Sequence, residues 1–397
     1  MLWQVHPRTG KHLPTIIALY RKAAALRPDV VDNWYMLASF LVEARQNEEA
    51  VAVLTQAISK LPTHPRLYLM LGQTHYITRR VDLAREVLER TPAIPEDDRE
   101  MTMWRLTLLI DTGLADRAQA ATDILALDPV NSYALMLLGA VTRRNGSSQK
   151  MIPFCRAALE AEPGHTRARY ELAVALARLG RSQEARQMID LNQFVRVIDL
   201  RPPESYVNAQ TLENALVSEI TRNNTLEADP VDRATRGGFQ TSASLPQRGD
   251  DAIGIVLDRI RLRVDRFETS LPEDLNDPFV TKRPKRVKLR AWAVVYPGGG
   301  WQKPHIHDTG WLSGVYYVSA PNASGQNPRG GLLVLGKFEN EQQGTDPPPW
   351  GVRDIRPLPG RLVLFPSYIP HSTIPTNSSD QRICLAFDVM RSPTEPG

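Results

Sequence analysis

Trp301 to Val318 reads WQKPHIHDTGWLSGVYYV. His305 and His307 stand two apart in it, just ahead of the apolar run Leu312 to Val318. Residues two apart on an extended segment project from one face, so both imidazoles can converge while Ile306 points away. Asp308 points with Ile306 if the strand persists, and turns inward only if the chain bends at Thr309-Gly310. A third histidine, His371, follows a second apolar run, Arg361-Leu-Val-Leu-Phe-Pro-Ser. Arg382 opens a third run, Arg382-Ile-Cys-Leu-Ala-Phe. The chain holds only 8 histidines, so three of them strung across strand ends make a candidate metal site. Imidazole suits iron, zinc, copper and nickel, and a facial set of two histidines and a carboxylate with open positions suits non-haem iron and oxygen chemistry.

Outward from this stretch, short apolar runs alternate with loops rich in Pro, Gly and Asn. The runs are Lys288 to Tyr296, Leu312 to Val318, Gly331 to Leu335, Arg361 to Phe365 and Arg382 to Met390. This pattern predicts an all-β jelly roll. Upstream, Phe194 to Leu200 alternates as a strand does. Thr211 to Ile220 carries Leu212, Leu216 and Ile220 at helical spacing, and Ile253 to Leu271 carries Ile253, Val256, Leu257, Ile260 and Val264. Two such helices can back one sheet of a barrel. Between them, Thr221 to Asp251 reads as a long polar loop and a candidate lid.

The first half repeats. Prolines fall at 28, 62, 95, 129 and 163, at intervals of 34, 33, 34 and 34. Ten residues past each stand Ala38, Gly72, Arg105, Gly139 and Ala173, small in four of five cases, as a close helix crossing requires. Ala50, Ala84 and Ala185 mark a second helix, and Trp34, Leu37, Leu41, Tyr68 and Leu71 fill apolar faces. Period, small positions and closing proline resemble the tetratricopeptide repeat. The resemblance covers about residues 10–191. The third repeat departs at Arg105, and the fourth carries Asn145-Gly-Ser-Ser where a helix is due. Such arrays stack into a superhelix whose concave surface binds a peptide or protein partner. His64, His75 and His165 have no partner spacing and read as surface or packing residues.

A chain of 397 residues favours two or more domains, and 42% hydrophobic with 23% charged residues supports a core throughout. The net charge is +4, and the densest basic run, Lys282 to Arg290, lacks aromatic stacking partners. No nucleic-acid partner is therefore expected. The two cysteines, Cys155 and Cys384, lie in different halves, which makes neither a disulfide framework nor a thiolate metal site. A reducing, cytoplasmic location fits them. The N-terminus lacks a signal-peptide core, and no window approaches about eighteen uncharged apolar residues, so no membrane is expected.

The second half resembles the Fe(II)/2-oxoglutarate-dependent oxygenases, nearest to bacterial and phage members of the prolyl-hydroxylase-like group. A Tyr precedes the first ligand through a Gly-rich turn in Tyr296-Pro-Gly-Gly-Gly-Trp-Gln-Lys-Pro-His305. Leu312-Ser-Gly-Val-Tyr-Tyr-Val318, Gly330-Gly-Leu-Leu-Val and Pro357-Leu-Pro-Gly-Arg-Leu-Val-Leu-Phe then lead to His371. The resemblance covers roughly 192–390. It implies Fe(II) on His305, His307 and His371, with Tyr296 and Arg382 gripping the far carboxylate of 2-oxoglutarate. It also implies hydroxylation of an unactivated C–H bond, with ascorbate as a reductant. The usual His-x-Asp is here His305-x-His307, so either three histidines hold the iron or Asp308 replaces His307. Trp301, Gln302 and Trp311 flank the ligands, as rim packing or as a substrate mouth.

The expected architecture is a multidomain α + β chain. Residues 1–191 form a tetratricopeptide α-solenoid, and residues 192–397 form a double-stranded β-helix, or jelly-roll, oxygenase domain with flanking helices. The expected activity is that of a 2-oxoglutarate-dependent dioxygenase acting on a protein or peptide recruited by the repeats. Two alternatives stand beside it. One is a repeat scaffold with a catalytically silent metal-binding barrel, and the other is a three-histidine, cupin-type dioxygenase that does not use 2-oxoglutarate.

Overall fold

The computed structural model describes residues 13–230, 233–242, 244–245, 250–272, 275–321, 328–338, 347–376 and 381–392. The chain divides into two compact units, Met1–Arg144 and Asn145–Gly397. The first unit is helical among the described residues. Its helices are Leu13–Leu26, Val31–Glu43, Asn47–Lys60, Pro65–Ile77, Val81–Glu89, Arg99–Thr112, Arg117–Leu127 and Ser132–Arg144. Pro28, Pro62 and Pro129 sit in turns between helices, where a residue without an N–H costs no helical bond. The turns repeat down to their hydrogen bonds. Trp34 Nε1 donates to the Pro28 carbonyl at 3.0 Å, and one repeat later the Tyr68 hydroxyl donates to the Pro62 carbonyl at 3.1 Å.

Small residues stand where helices cross. Ala38 and Ala50 are fully buried. A Cβ on Gly72 would lie 3.0 Å from the Leu88 side chain. In the second repeat the second helix, Val81–Glu89, has only 9 residues. Arg105 is half-buried on the next helix, so the crossing there is looser. Helix Arg99–Thr112 restarts the array with Asp98 accepting the Met101 N–H at its cap.

The repeat pattern extends to about Leu191, but the compact second unit begins at Asn145. The second helix of the fourth repeat, Met151–Ala161, and the last repeat's pair, Thr166–Arg178 and Ser182–Met188, therefore fold within the sheet-bearing unit; Thr166–Arg178 lies in the middle of the three. The middle one is buried on every side from Thr166 through Leu176. His165 caps it, its Nδ1 accepting the Ala168 N–H at 3.1 Å.

Twelve strands follow: β1 (Arg196–Asp199), β2 (Leu226–Ala228), β3 (Thr235–Arg236), β4 (Phe239–Thr241), β5 (Val287–Tyr296), β6 (Trp301–Gln302), β7 (Gly310–Ser319), β8 (Leu333–Leu335), β9 (Arg353–Ile355), β10 (Arg361–Pro366), β11 (His371–Thr373) and β12 (Arg382–Arg391). The main sheet is antiparallel with order β1-β10-β7-β12-β5-β4-β2, and smaller sheets are β11-β8-β9 and β3-β6. β12 lies between β7 and β5 and is buried from Arg382 to Val389. The domain is thus an antiparallel sheet domain. Among the described residues no ladder joins β1 to β2, so the sheet keeps two edges and no closed barrel forms.

Helices Ala209–Thr221 and Ala252–Thr269 bury the apolar faces read from their spacing, including Leu212, Leu216, Ile220, Leu257 and Ile260. Glu219 on the first accepts the Ala252 and Ile253 N–H groups at 2.8 and 3.0 Å, placing a carboxylate at the positive end of the second. The polar stretch between them is not all loop. It supplies β2, β3 and β4, and β4 pairs with β5. These strands are short and polar on one side, so no apolar alternation betrays them.

Gly314 on β7 faces Phe387 across the sheet. A Cβ there would meet the Phe387 ring at 2.3 Å and the Val363 carbonyl at 2.8 Å. Neither neighbour can retreat, because both belong to packed central strands. Gly314→Ala is expected to lower unfolding free energy by about 1–3 kcal/mol, read as a fall in the urea midpoint of the full chain.

Candidate functional site

Local backbone pairing builds the site. His305 and His371 exchange two backbone hydrogen bonds, His305 N–H to His371 O at 3.0 Å and His371 N–H to His305 O at 2.9 Å. This sets their ring centroids 4.1 Å apart. The chain then turns at Asp308-Thr309 before entering β7. That path brings His307 to 5.1 Å from the His305 ring and 4.8 Å from the His371 ring. One ligand atom from each of the three lies within 4.8 Å of the others.

The outer nitrogens of all three rings are already committed. Nδ1 of His305 faces the Lys303 carbonyl at 2.7 Å, and Nδ1 of His371 faces the Ile369 carbonyl at 3.2 Å. Nδ1 of His307 contacts the Asp388 carboxylate, with Ser313 Oγ at 3.0 Å. Each acceptor holds the proton on Nδ1 and leaves Nε2 with its lone pair. The Nε2 atoms of His305 and His307 are 3.2 Å apart. Two nitrogens bonded at right angles to one ion, each at about 2.1 Å, stand ~3.0 Å apart. The donor set therefore fits a divalent first-row metal, with the three ligand atoms, now within 4.8 Å of one another, drawing closer around the ion.

Asp388 was not apparent as a site residue. It is buried in β12, accepts a hydrogen bond from Ser313 Oγ at 2.8 Å and meets His307. Burial opposes a charge on His307, but the Asp388 carboxylate outweighs it and raises the imidazole pKa above its usual value. His371 has no such partner. Burial, then repulsion from His305 and His307, holds it well below the usual range and neutral. The one advance signal was the lone carboxylate inside Arg382-Ile-Cys-Leu-Ala-Phe-Asp388, since a charge in a buried run must be paired.

Asp308 does not join the cluster. It binds Arg167 of the last repeat, 2.8 Å from Nε and 2.7 Å from Nη2. Arg167 is 3% exposed and also reaches Glu171 at 3.2 Å. Next to it, Thr166 Oγ1 donates to the Gly310 carbonyl at 2.9 Å. The last repeat thus holds both sides of the turn that follows His307. Trp311 packs away from the cluster, stacked on Phe279 with centroids 5.0 Å apart and donating to its carbonyl at 2.9 Å.

Arg382 and Tyr296 are cross-strand partners at the end of β12 and β5. Both line a narrow slot whose other wall is the histidine cluster. Arg382 is 2% exposed, and its hydrogen-bond partners among the described residues are neutral: the Gly331 and Gly300 carbonyls at 3.1 and 3.2 Å and Thr373 Oγ1 at 3.1 Å. The guanidinium lies 4.4 Å over the Tyr296 ring. The Tyr296 hydroxyl is buried with no hydrogen-bond partner among the described residues. Burial raises its pKa against the pull of Arg382, so it stays protonated and can donate. A buried cation and an idle donor facing one slot fit a carboxylate ligand. A second, wider pocket of about 230 Å³ opens on the other side of His305 and His307.

Residues 290–388 match the family model described as "Putative 2OG-Fe(II) oxygenase". Residues 41–103 and 152–191 match a tetratricopeptide repeat model. No curated protein matches the chain. Among solved structures, a prolyl-4-hydroxylase from Pseudomonas putida is similar at 20% identity, covering 51% of this chain and 94% of that one, with a TM-score of 0.34. A prolyl hydroxylase from Trichoplax adhaerens, solved with a hypoxia inducible factor peptide fragment, is similar at 20% identity over 54% and 92%, with a TM-score of 0.35. YrrB, a tetratricopeptide protein with an unusual peptide-binding site, is similar at 18% identity over 43% and 88%, with a TM-score of 0.34.

Removing Arg167 takes a cation from Glu171, whose side chain is fully buried, and from Asp308. Arg167→Ala is expected to cost about 3–5 kcal/mol, as for other broken buried ion pairs. Arg167→Met combined with Glu171→Leu should recover part of that loss. Equal urea midpoints for wild type and Arg167→Ala would show that the pairing contributes nothing.

Proposed function

We propose that this chain, which carries a domain of the 2OG-Fe(II) oxygenase family behind tetratricopeptide repeats, is an Fe(II)- and 2-oxoglutarate-dependent hydroxylase of a protein or peptide. The observation that carries the reading is the buried Arg382, whose hydrogen-bond partners among the described residues are neutral, set across one slot from three converging imidazoles.

His305, His307 and His371 would hold the iron through Nε2. Asp388 and Ser313 orient His307 and keep its proton on Nδ1. Arg382 and the Tyr296 hydroxyl would receive the far carboxylate of 2-oxoglutarate, leaving its oxo-acid end toward the histidines. Val315, Leu333 and Phe365 supply apolar walls to the slot and limit water there. When bound, iron and 2-oxoglutarate supply the oxidising power, with dioxygen consumed, 2-oxoglutarate converted to succinate and carbon dioxide, and one oxygen atom added to a C–H bond.

In this reading the seven-stranded and three-stranded sheets are the halves of a double-stranded β-helix, joined at the site by the His305–His371 bridge. The repeats recruit the substrate on their concave face. Both cysteines are free and buried, which suits a reducing compartment such as the cytoplasm. No helix among the described residues is long and apolar enough to cross a membrane.

One observation favours a second reading. Asp308 is tied to Arg167, and among the described residues no carboxylate joins the three imidazoles as a ligand. A dioxygenase with a three-histidine iron site that acts directly on a small molecule needs no 2-oxoglutarate, and it would retain activity in Arg382→Ala.

Succinate release with Fe(II), ascorbate and candidate peptides tests the leading reading. His371→Ala is expected to lose iron binding, read as metal content after anaerobic loading. Arg382→Ala should keep its iron but weaken 2-oxoglutarate binding ~10–100-fold, the loss of one charge-assisted contact of about 1.5–3 kcal/mol. Absence of 2-oxoglutarate binding by calorimetry, together with no succinate release, would overturn it.

A further inference from the structure

The β5–β12 ladder runs as a track beneath the histidines. Its register is unbroken from Arg382↔Tyr296 through Ala386↔Trp292 to Asp388↔Arg290. Alternate residues of a strand share a face, so Tyr296, Trp292 and Arg290 project to the same side. Tyr296 and Arg382 line the slot at one end. Trp292 lies in the middle, its ring centroid 5.6 Å from that of His307. Arg290 and Asp388 stand at the far end, in the wall of the 230 Å³ pocket.

That pocket holds a second arginine, Arg233, beside β3. Neither Arg290 nor Arg233 has an ion-pair partner among the described residues. Asp388 sits opposite Arg290 on the ladder, but its carboxylate is engaged by His307 and Ser313. The remaining walls are mixed, with Gln240, Thr241 and Gln302 polar and Trp292 and Ile306 apolar.

We infer that the second pocket is the substrate site and that it takes a carboxylate, presented by an acidic side chain next to the carbon that is oxidised. Two guanidinium groups against one engaged carboxylate leave one positive charge in excess, which matches a monoanion. A planar guanidinium fork pairs with a carboxylate in two parallel hydrogen bonds. Arg290 is the anchor, because its strand fixes its direction. Arg233 is exposed and closes over the bound group from the β3 side. Arg382 and Arg290 thus divide the labour at opposite ends of one ladder, the first for the cosubstrate and the second for the substrate. This rests on the oxygenase reading for the word substrate, though not for the pocket's preference for an anion.

The test is an array of immobilised dodecapeptides that differ at one central position, Glu, Gln, Lys or phosphoserine. The full-length protein is applied metal-free and again after loading with zinc and N-oxalylglycine. Zinc and N-oxalylglycine binding are measured separately by calorimetry, so a failure of the oxygenase reading registers there and not on the array. The expected result is retention on Glu peptides about ten-fold or more above Gln, as one charge-assisted contact predicts, with Lys lowest. Arg290→Ala should reduce the Glu signal to the Gln level, and Arg290→Lys should restore part of it. Arg290→Ala should leave N-oxalylglycine affinity unchanged, which separates loss of the anion site from misfolding. Equal retention of Glu and Gln, a preference for Lys, or a Glu preference that survives Arg290→Ala would overturn the inference. Tighter retention of phosphoserine than Glu would overturn the assignment to a carboxylate.

Discussion

Two backbone hydrogen bonds between His305 and His371 carry the candidate site. They join segments that enter from different strands, one after β6 and one beginning β11. Without that bridge the three imidazoles belong to separate loops. With it, two rings are fixed with centroids 4.1 Å apart, tilted at 48° to one another, and the third needs only the short path through Ile306 to reach them. Backbone pairing is well suited to this task. It holds the Cα positions while leaving each side chain free to be oriented by its own acceptor, a carbonyl for His305 and His371 and a carboxylate for His307.

The last repeat is the second constraint. A helix reading TRARYELAVALAR should show its arginines to water, yet Arg167 and Arg169 are both buried. Each has a carboxylate from the sheet-bearing segment. Arg167 meets Asp308, and Arg169 makes a two-pronged pair with Asp277 at 2.6 and 2.7 Å. Burying ions is expensive, and the return comes only when geometry satisfies them. These pairs therefore specify one docking of the helix more than they add net stability. The helix pair that completes the repeat pattern is in this way built into the unit that contains the histidines.

The central ladder orders the chemistry. Because β5 and β12 keep strict register over the site, one face of the pair presents a cation, a ring and a second cation in sequence past the imidazole cluster. Ligands on either side of the cluster are then held by groups whose spacing is set by a single sheet. Asp388 belongs to the same face, which is why the residue that orients His307 also lies beside the second pocket.

Local pattern was enough to reveal the repeat period, the apolar faces of both flanking helices, half of the strands including the three longest, and the names of the residues that meet at the site. Each of these is written in neighbours along the chain, as proline spacing, as alternation, or as an apolar run broken by a histidine. Tertiary structure alone decided where Asp308 points, that Asp388 serves His307, that a polar stretch supplies three strands, and that the sheets leave their edges unjoined. The reason is common to all four. A charged or polar side chain looks the same in sequence whether water or a distant partner satisfies it, and only the folded chain brings Arg167 to Asp308 or Asp388 to His307.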